Sequence, residues 1–238
     1  MTKHRGIALL LVLWVLALLS TLLAALAGGV RLEYRQALWQ QQRTQALMAA
    51  EAGLCLAVLA LNAQPVQARW AADGSVHAAE FAGMALRVRI RSERGKLDLN
   101  AAPVGSIARL LHARGATPAV AAQVAAAVER QRGRSPLRTL EELRPLPGMS
   151  GVLYNRVVPY ITVWSGQAQP DAGLVARPLA RALGLPNVRT AALDAGQIFT
   201  ITSQARSPGG QATTLRATVL MTTAKEGARP YRVLRWQS

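Results

Sequence analysis

The 238-residue sequence predicts an α+β protein in which one long N-terminal helix packs on a small antiparallel sheet. Residues 7–30 contain no charged side chain, and an apolar stripe at three- and four-residue spacing continues from Leu47 to Leu61. Residues 84–91 alternate between apolar side chains and arginines, which is the period of a strand with one buried face. Further strand patterns close the chain, and short helical patterns separate them from the first strand.

The apolar run at residues 7–30 is long enough, as a helix, to cross a hydrocarbon core of about 30 Å. Lys3 and Arg5 precede it, so we expect the leader, residues 1–6, to stay in the cytoplasm while the rest of the chain is exported. The helix is expected to continue outside the membrane through residues 31–64, where the apolar stripe would pack on a globular head.

Cleavage by ordinary signal peptidase is the alternative for the N-terminus. Ala25-Leu26-Ala27 followed by Gly28 has the A-x-A pattern that this enzyme recognises. The apolar run before that point is about 21 residues long, which exceeds the core of a usual signal peptide. The length therefore favours a retained helix, with a chain that starts at Gly28 as the competing possibility.

The predicted sheet head comprises residues 65–97 and 160–238. On its first strand three apolar residues alternate with three arginines: Leu86, Val88 and Ile90 with Arg87, Arg89 and Arg91. The arginines would share the open face, where a solvated surface is expected and an acidic ligand is the alternative. Later strands are predicted at residues 160–164, 197–203, 212–220 and 231–236.

A small helical domain is predicted at residues 98–159, inserted between the two parts of the head. Its helices are expected to begin at side chains that can accept hydrogen bonds from backbone N–H groups: Asn100, Thr117, Thr139 and Ser150. Thr139 with Glu142 has the spacing of a capping box. A helical turn is also expected around Arg177 to Leu183, ending at Gly184.

The composition argues against catalysis. His4, His77 and His112 are the only histidines, none has a spaced metal partner, and no phosphate-binding loop or nucleophile motif is present. We therefore predict no enzyme activity, no metal and no cofactor. The net charge of +16 makes acidic partners possible, but the basic residues are scattered along the chain. The single cysteine, Cys55, is expected to pack as a small apolar residue.

The leader that ends in Gly6 and the apolar run that starts at Ile7 together resemble a type IV pilin-like precursor. The resemblance implies cleavage between Gly6 and Ile7 by prepilin peptidase, and methylation of the new amino terminus at Ile7. Pilin-like chains usually carry a glutamate five residues into the mature sequence, where this chain has Leu11. In lacking this glutamate, the chain resembles the general secretion pathway protein K family, which are minor pseudopilins of type II secretion.

Other segments resemble the same family. They are Ala49-Ala-Glu-Ala-Gly53, the Leu-Asn-Ala-Ala-Pro run that ends at Pro103, Pro147-Gly-Met149, Tyr160-Ile-Thr-Val163 and the closing strand at residues 231–236. The resemblance implies a single-pass protein of the bacterial inner membrane, with a cytoplasmic N-terminus and a periplasmic pilin-like head, at the tip of the pseudopilus. It implies other minor pseudopilins and prepilin peptidase as partners, with the secretin or an exported substrate as further contacts, and no nucleic acid.

A membrane-anchored DNA receptor for competence is the alternative function. Residues 98–159 also resemble tandem helix-hairpin-helix (SAM-like) domains, because Leu146-Pro-Gly-Met-Ser150 is similar to their phosphate-binding hairpin. Ser150 replaces the last glycine of that hairpin, and the first hairpin, Ala113 to Thr117, lacks its Pro-Gly core. A DNA receptor of this kind has no need of the strands predicted after residue 160.

Overall fold

The computed structural model describes residues 5–64, 68–186, 194–222 and 229–237, and in the first helix it describes the side chains outside 5–9 and 23–32. The helices of these residues are α1 (Arg5–Leu61), α2 (Val104–Ala113), α3 (Pro118–Arg134), α4 (Gly151–Val157) and α5 (Arg177–Leu183). The strands are β1 (Asp73–Phe81), β2 (Met84–Ser92), β3 (Leu97–Asp98), β4 (Ile161–Thr162), β5 (Ile198–Arg206), β6 (Ala212–Met221) and β7 (Tyr231–Gln237). The fold is α+β, as predicted.

Five strands form one antiparallel sheet in the order β1-β2-β5-β6-β7. The predicted strands at residues 84–91, 197–203, 212–220 and 231–236 are confirmed as β2, β5, β6 and β7. Strand β1 was not predicted. Most of its residues are exposed because it lies at the edge of the sheet, and its sequence lacks the regular apolar alternation of its neighbours.

The C-terminal half of α1 packs on one face of this sheet, as predicted. Its buried side chains are mostly small: Ala46, Ala49, Ala50, Leu54, Ala57 and Val58. They meet the apolar side of the alternating strand β2 and the matching faces of β5 and β6. Gly53 lies so close to the sheet that a Cβ atom there would be 3.2 Å from Ser203 Cβ and 3.3 Å from Val88 Cγ2. Small residues thus let helix and sheet approach closely.

A second apolar core lies among α2, α3, α4 and α5, and we call residues 97–185 that surround it the helical part. It extends past the predicted limit at residue 159, since Val163, Leu179 and Leu183 are buried in it. The strand predicted at residues 160–164 is therefore not in the large sheet. Only Ile161–Thr162 is extended, and it pairs in parallel with Leu97–Asp98 in a separate two-stranded sheet.

The predicted helix starts are confirmed at three of four positions. Thr117 and Ser150 accept hydrogen bonds from the backbone N–H group of the third residue of α3 and of α4, and Thr139 with Glu142 forms the capping box of a short 3-10 helix. Asn100 was wrongly predicted as a cap, because α2 begins only after Pro103. The Asn100 side chain instead exchanges two 2.9 Å hydrogen bonds with the backbone of Leu137.

Candidate assembly surfaces

The three residues predicted to govern processing and filament position lie near the start of α1. Gly6 and Ile7 belong to its first turns, and their side chains are outside the described set. Leu11 is 62 % exposed. Ile7 and Leu11 are four residues apart and therefore lie on one side of the helix. Cleavage after Gly6, methylation of Ile7 and the terminal filament position stay predictions.

The described side chains in the first half of α1 are exposed to solvent. From Leu10 to Leu22 every described side chain is exposed, including Trp14 at 66 %. Among the described residues α1 is the helix that is long and apolar enough to cross a membrane. Within α1 the described stretch that passes a length and hydropathy test is Glu33–Leu61, and the described apolar stretch Leu10–Leu22 is shorter. Glu33–Leu61 contains charged residues and packs on the sheet, whereas residues 7–30 are uncharged, so the N-terminal segment is the better suited to lipid.

A second apolar strip runs along α1 beyond the uncharged segment, on the side turned away from the sheet. We call it the outer stripe and define it as Tyr34, Leu38, Met48, Cys55 and Leu59. At 100° per residue these positions fall within about 100° of arc, opposite the buried stripe. The exposed Gln41 and Gln45 fall in the same arc, so the outer stripe is interrupted between Leu38 and Met48. Tyr34, Met48 and Leu59 are 65, 61 and 67 % exposed. Cys55 was predicted to be packed and is exposed, because it belongs to this outer side.

The connection between β2 and the helical part is held on the large sheet by a buried polar cluster that the sequence did not reveal. Lys96 Nζ donates to Glu93 Oε1 at 2.5 Å and to Thr200 Oγ1 at 2.9 Å. Thr200 Oγ1 in turn donates to Glu93 Oε1 at 2.6 Å, and lies 3.0 Å from Thr218 Oγ1. The Glu93 side chain is fully buried, so Lys96 supplies the charge that its carboxylate requires.

A second contact between the helical part and the sheet is more exposed. Arg235 of β7 donates to Glu141 Oε1 through Nε at 2.9 Å and Nη2 at 2.6 Å. Partial burial raises the pKa of the Glu141 carboxyl, but hydrogen bonds from Arg235 and the backbone, with the charges of Arg235 and Arg144, outweigh it. The pKa of Glu141 is therefore lower than that of an ordinary glutamate. The pair stays charged at neutral pH and helps to fix the helical part on the sheet.

The two hairpins that resemble DNA-binding loops are both present in the helical part. Gly148 adopts φ of 87°, and a Cβ there would lie 3.2 Å from Val124 of α3. The nearby arginines are engaged within the protein: Arg144 stacks on Tyr154 at 4.3 Å, and Arg114 stacks on Tyr160 at 4.5 Å. The hairpins are thus packed against the rest of the helical part, and these two guanidinium groups already contact tyrosine rings of the same protein.

Metal-binding side chains do not cluster in the described residues, where no group of three or more histidine, cysteine, aspartate or glutamate side chains could hold an ion. The outer stripe of α1 is the feature described above that is suited to assembly with other subunits.

Comparison with known proteins finds similarity in structure and not in sequence. No protein-family model and no curated protein matches the chain. A solved structure matches, the GspK-GspI-GspJ complex from the enterotoxigenic Escherichia coli type 2 secretion system. A chain of that complex is similar to this one with a TM-score of 0.55 and 15 % sequence identity, over 83 % of this chain and 97 % of that chain. At that identity the likeness concerns the fold, and we conclude that this chain has a pseudopilin-like fold.

Proposed function

We propose that this chain is a minor pseudopilin of the type II secretion system, of the protein K kind, which caps the tip of the periplasmic pseudopilus and supports protein export across the outer membrane. The observation that carries the proposal is the fold likeness to a chain of a pseudopilin complex over 83 % of the sequence. The proposed role is mechanical, with no chemical step. The protein would span the inner membrane once, with its N-terminus in the cytoplasm and its head in the periplasm.

The exposed sides of α1 support the part of the proposal that concerns assembly. A monomer in water would gain nothing from the exposed Met48 and Leu59, whereas burial of each such side chain contributes about 1.5–3 kcal/mol. Apolar helices of neighbouring subunits that pack along the outer stripe would supply that burial. Other minor pseudopilins are therefore the proposed partners.

Leu11 supports the terminal position. A glutamate inside an apolar bundle needs an opposite charge, such as the amino terminus of a neighbouring subunit. Leu11 creates no such requirement and offers no such partner. A subunit that cannot make this ion pair is suited to the end of the filament, where no further subunit is added beyond it.

The size of the helical part also supports a terminal position. Strands β2 and β5 are neighbours in the sheet, and the helical part emerges between them. A filament of stacked heads has little room for such an addition at an internal position. At the tip the helical part is free to project, where contacts with the secretin or with an exported substrate are possible partners.

The first experiment is the mass of the N-terminal peptide of the protein isolated from its native membrane. A chain that starts at N-methylated Ile7 supports the proposal, as does a block of processing in Gly6→Leu. A chain that starts at Gly28 would mean ordinary signal peptidase cleavage and an exported domain without α1's apolar half. An intact N-terminus would contradict the pilin-like pathway and favour the membrane-anchored DNA receptor.

The second experiment tests the outer stripe. Leu59→Glu should reduce co-purification with other minor pseudopilins, because it places a charge where an apolar helix would pack. Val152→Glu is the matched control, since Val152 is 62 % exposed on α4, away from α1. Equal co-purification of both variants and the parent would refute assembly through the outer stripe.

A further inference from the structure

The open face of the large sheet carries a group of arginines that the proposed assembly does not use. On β2 they are Arg87, Arg89 and Arg91, and strands β5 and β6 add Arg206 and Arg216 on the same face; we call these five the arginine face. In register, Arg89 lies opposite Thr202 of β5, and Thr202 lies opposite Arg216 of β6. Arg89 and Arg216 are thus about 10 Å apart at the backbone, and Arg87 and Arg89 about 7 Å.

The protein itself pairs one arginine on this side of the sheet with a carboxylate. Arg235 lies in the next row, where Glu141 of the helical part binds it. Three further ion pairs among the described residues, those of Asp194, Glu93 and Glu129, do not involve Arg87, Arg89 or Arg216. The acidic groups of β1 lie at the border: Glu80 opposite Ala85 at the far end, and Asp73 in register with Arg91.

The arginines are close enough to affect one another. Burial, and then the positive charges of Arg235 and Arg91, lower the pKa of the Arg216 guanidinium. The face therefore carries mutual repulsion in the free protein, which an anionic partner would relieve. Guanidinium groups bind carboxylates with paired hydrogen bonds, and such charge-assisted bonds are stronger than neutral ones.

We infer that the arginine face binds an acidic polypeptide segment of a soluble protein. In an extended segment, carboxylates at alternate positions are about 7 Å apart, which matches the spacing of Arg87 and Arg89. On the same face, β5 carries Thr202 and Gln204 and β6 carries Thr214, and these polar side chains can form hydrogen bonds with a peptide backbone. Single-stranded nucleic acid is less suited, because the arginine face has no aromatic side chain among its described rows on which bases could stack.

The location of the face also bears on the source of the ligand, and this step rests on the proposed function. The outer stripe lies on the far side of α1 from the sheet, so a subunit that packs there leaves the arginine face open. The sheet begins opposite Ala46, about 24 Å along the helix from the end of the apolar run at residue 30. That distance exceeds the Debye length of about 8 Å at physiological salt, which disfavours lipid headgroups. The partner is therefore a protein outside the filament.

The test measures binding of a fluorescent peptide with glutamate at alternating positions to the full chain in a nonionic detergent. Combined Arg87→Gln, Arg89→Gln and Arg216→Gln should weaken binding by about tenfold or more. The matched control combines Arg130→Gln, Arg134→Gln and Arg138→Gln, which removes the same charge from exposed positions of the helical part. The control should change the affinity by less than about twofold. Circular dichroism of both variants verifies that the fold is intact.

Three results would overturn the inference. The first is that the parent protein does not bind the peptide, and the second is that both triple variants lose the same amount of peptide affinity. The third is that the parent binds an oligothymidine or anionic lipid vesicles more tightly than the peptide, and that the arginine-face triple variant loses this binding. These outcomes are separable from failure of the proposed function. The peptide assay requires neither processing at Gly6 nor a partner on the outer stripe, and the arginine-face triple should leave both processing and co-purification unchanged.

Discussion

Replacing Gly53 by alanine tests how tightly α1 is seated on the sheet. The added Cβ would be 3.2 Å from Ser203 Cβ and 3.3 Å from Val88 Cγ2, with Ser203 Oγ closer still. Ser203 would have to rotate, and helix and strand would have to separate by a few tenths of an ångström. Overpacking of this kind costs about 1–3 kcal/mol. The better helix propensity of alanine offsets up to about 1 kcal/mol of it. We therefore expect a net destabilisation of about 1–2 kcal/mol.

The assay is thermal unfolding of the full chain in detergent, followed by near-ultraviolet circular dichroism, where about 1 kcal/mol shifts Tm by about 2–4 °C. Gly133→Ala is the control, because no neighbouring atom lies within 4 Å of a Cβ at that position in α3. It should stabilise by about 0.5–1 kcal/mol. Adding Ser203→Gly to Gly53→Ala should restore most of the loss. A Gly53→Ala protein as stable as the Gly133→Ala protein would refute the close packing described here.

Three further predictions concern the helical part and the connection that joins it to β2. Lys96→Met should destabilise by about 3–5 kcal/mol in urea unfolding, because it leaves the buried Glu93 carboxylate uncompensated. Adding Glu93→Leu should recover much of that loss, and a single-variant loss below about 1 kcal/mol would contradict the account. The lowered pKa of Glu141 means that its pair with Arg235 stabilises above the unfolded glutamate pKa and is lost as the pH falls through the native one. Glu141→Gln should thus cost at most about 1 kcal/mol at pH 7 and nothing in strong acid, whereas a gap that persists in acid would implicate another group. Gly184→Ala, at φ of 68°, should cost about 1–2 kcal/mol, and an unchanged midpoint would mean that α5 can end in another way.

Local patterns predicted those elements whose burial is regular. Strand β2 alternates without exception, and Thr117, Thr139 and Ser150 cap their helices through neighbours within three residues. Strand β1 was not predicted, because it lies at an edge of the sheet and its exposed residues follow no strict alternation. Elements were therefore predictable where the nearby sequence alone determines both burial and hydrogen bonding.

Features that depend on distant residues could not be predicted. The hydrogen-bond partners of Asn100 lie 37 and 63 residues further along the chain. The sequence near Asn100 therefore could not show that its side chain bonds to distant backbone groups instead of capping a helix. The cluster of Glu93 and Lys96 with Thr200 joins residues more than 100 positions apart. Cys55 was wrongly predicted to be packed, since its neighbours along the helix are apolar on the exposed side too.

The arginine face was partly visible from sequence. Alternation on β2 placed three arginines on one side of a strand, which the structure confirms. The sequence did not show that Arg216 would join them from two strands away, or that Glu141 would neutralise Arg235 at one end. Strand order and register supply that information, and they depend on pairings between distant parts of the chain.

The position of the helical part between paired strands has a consequence for how the protein folds. Strands β2 and β5 are adjacent, yet roughly 100 residues separate them, and closing a flexible loop of that length costs about 4 kcal/mol of chain entropy. A helical part that is already folded holds residues 97–185 around one apolar core, so the flexible connection that remains to be closed is much shorter and its entropic cost is smaller. The β1–β2 hairpin and the β5–β6–β7 meander can each form from local contacts, and they join into one sheet at lower cost once the helical part has folded. Damage to the helical part should therefore disfavour closure of the sheet on α1, although the two have separate apolar cores.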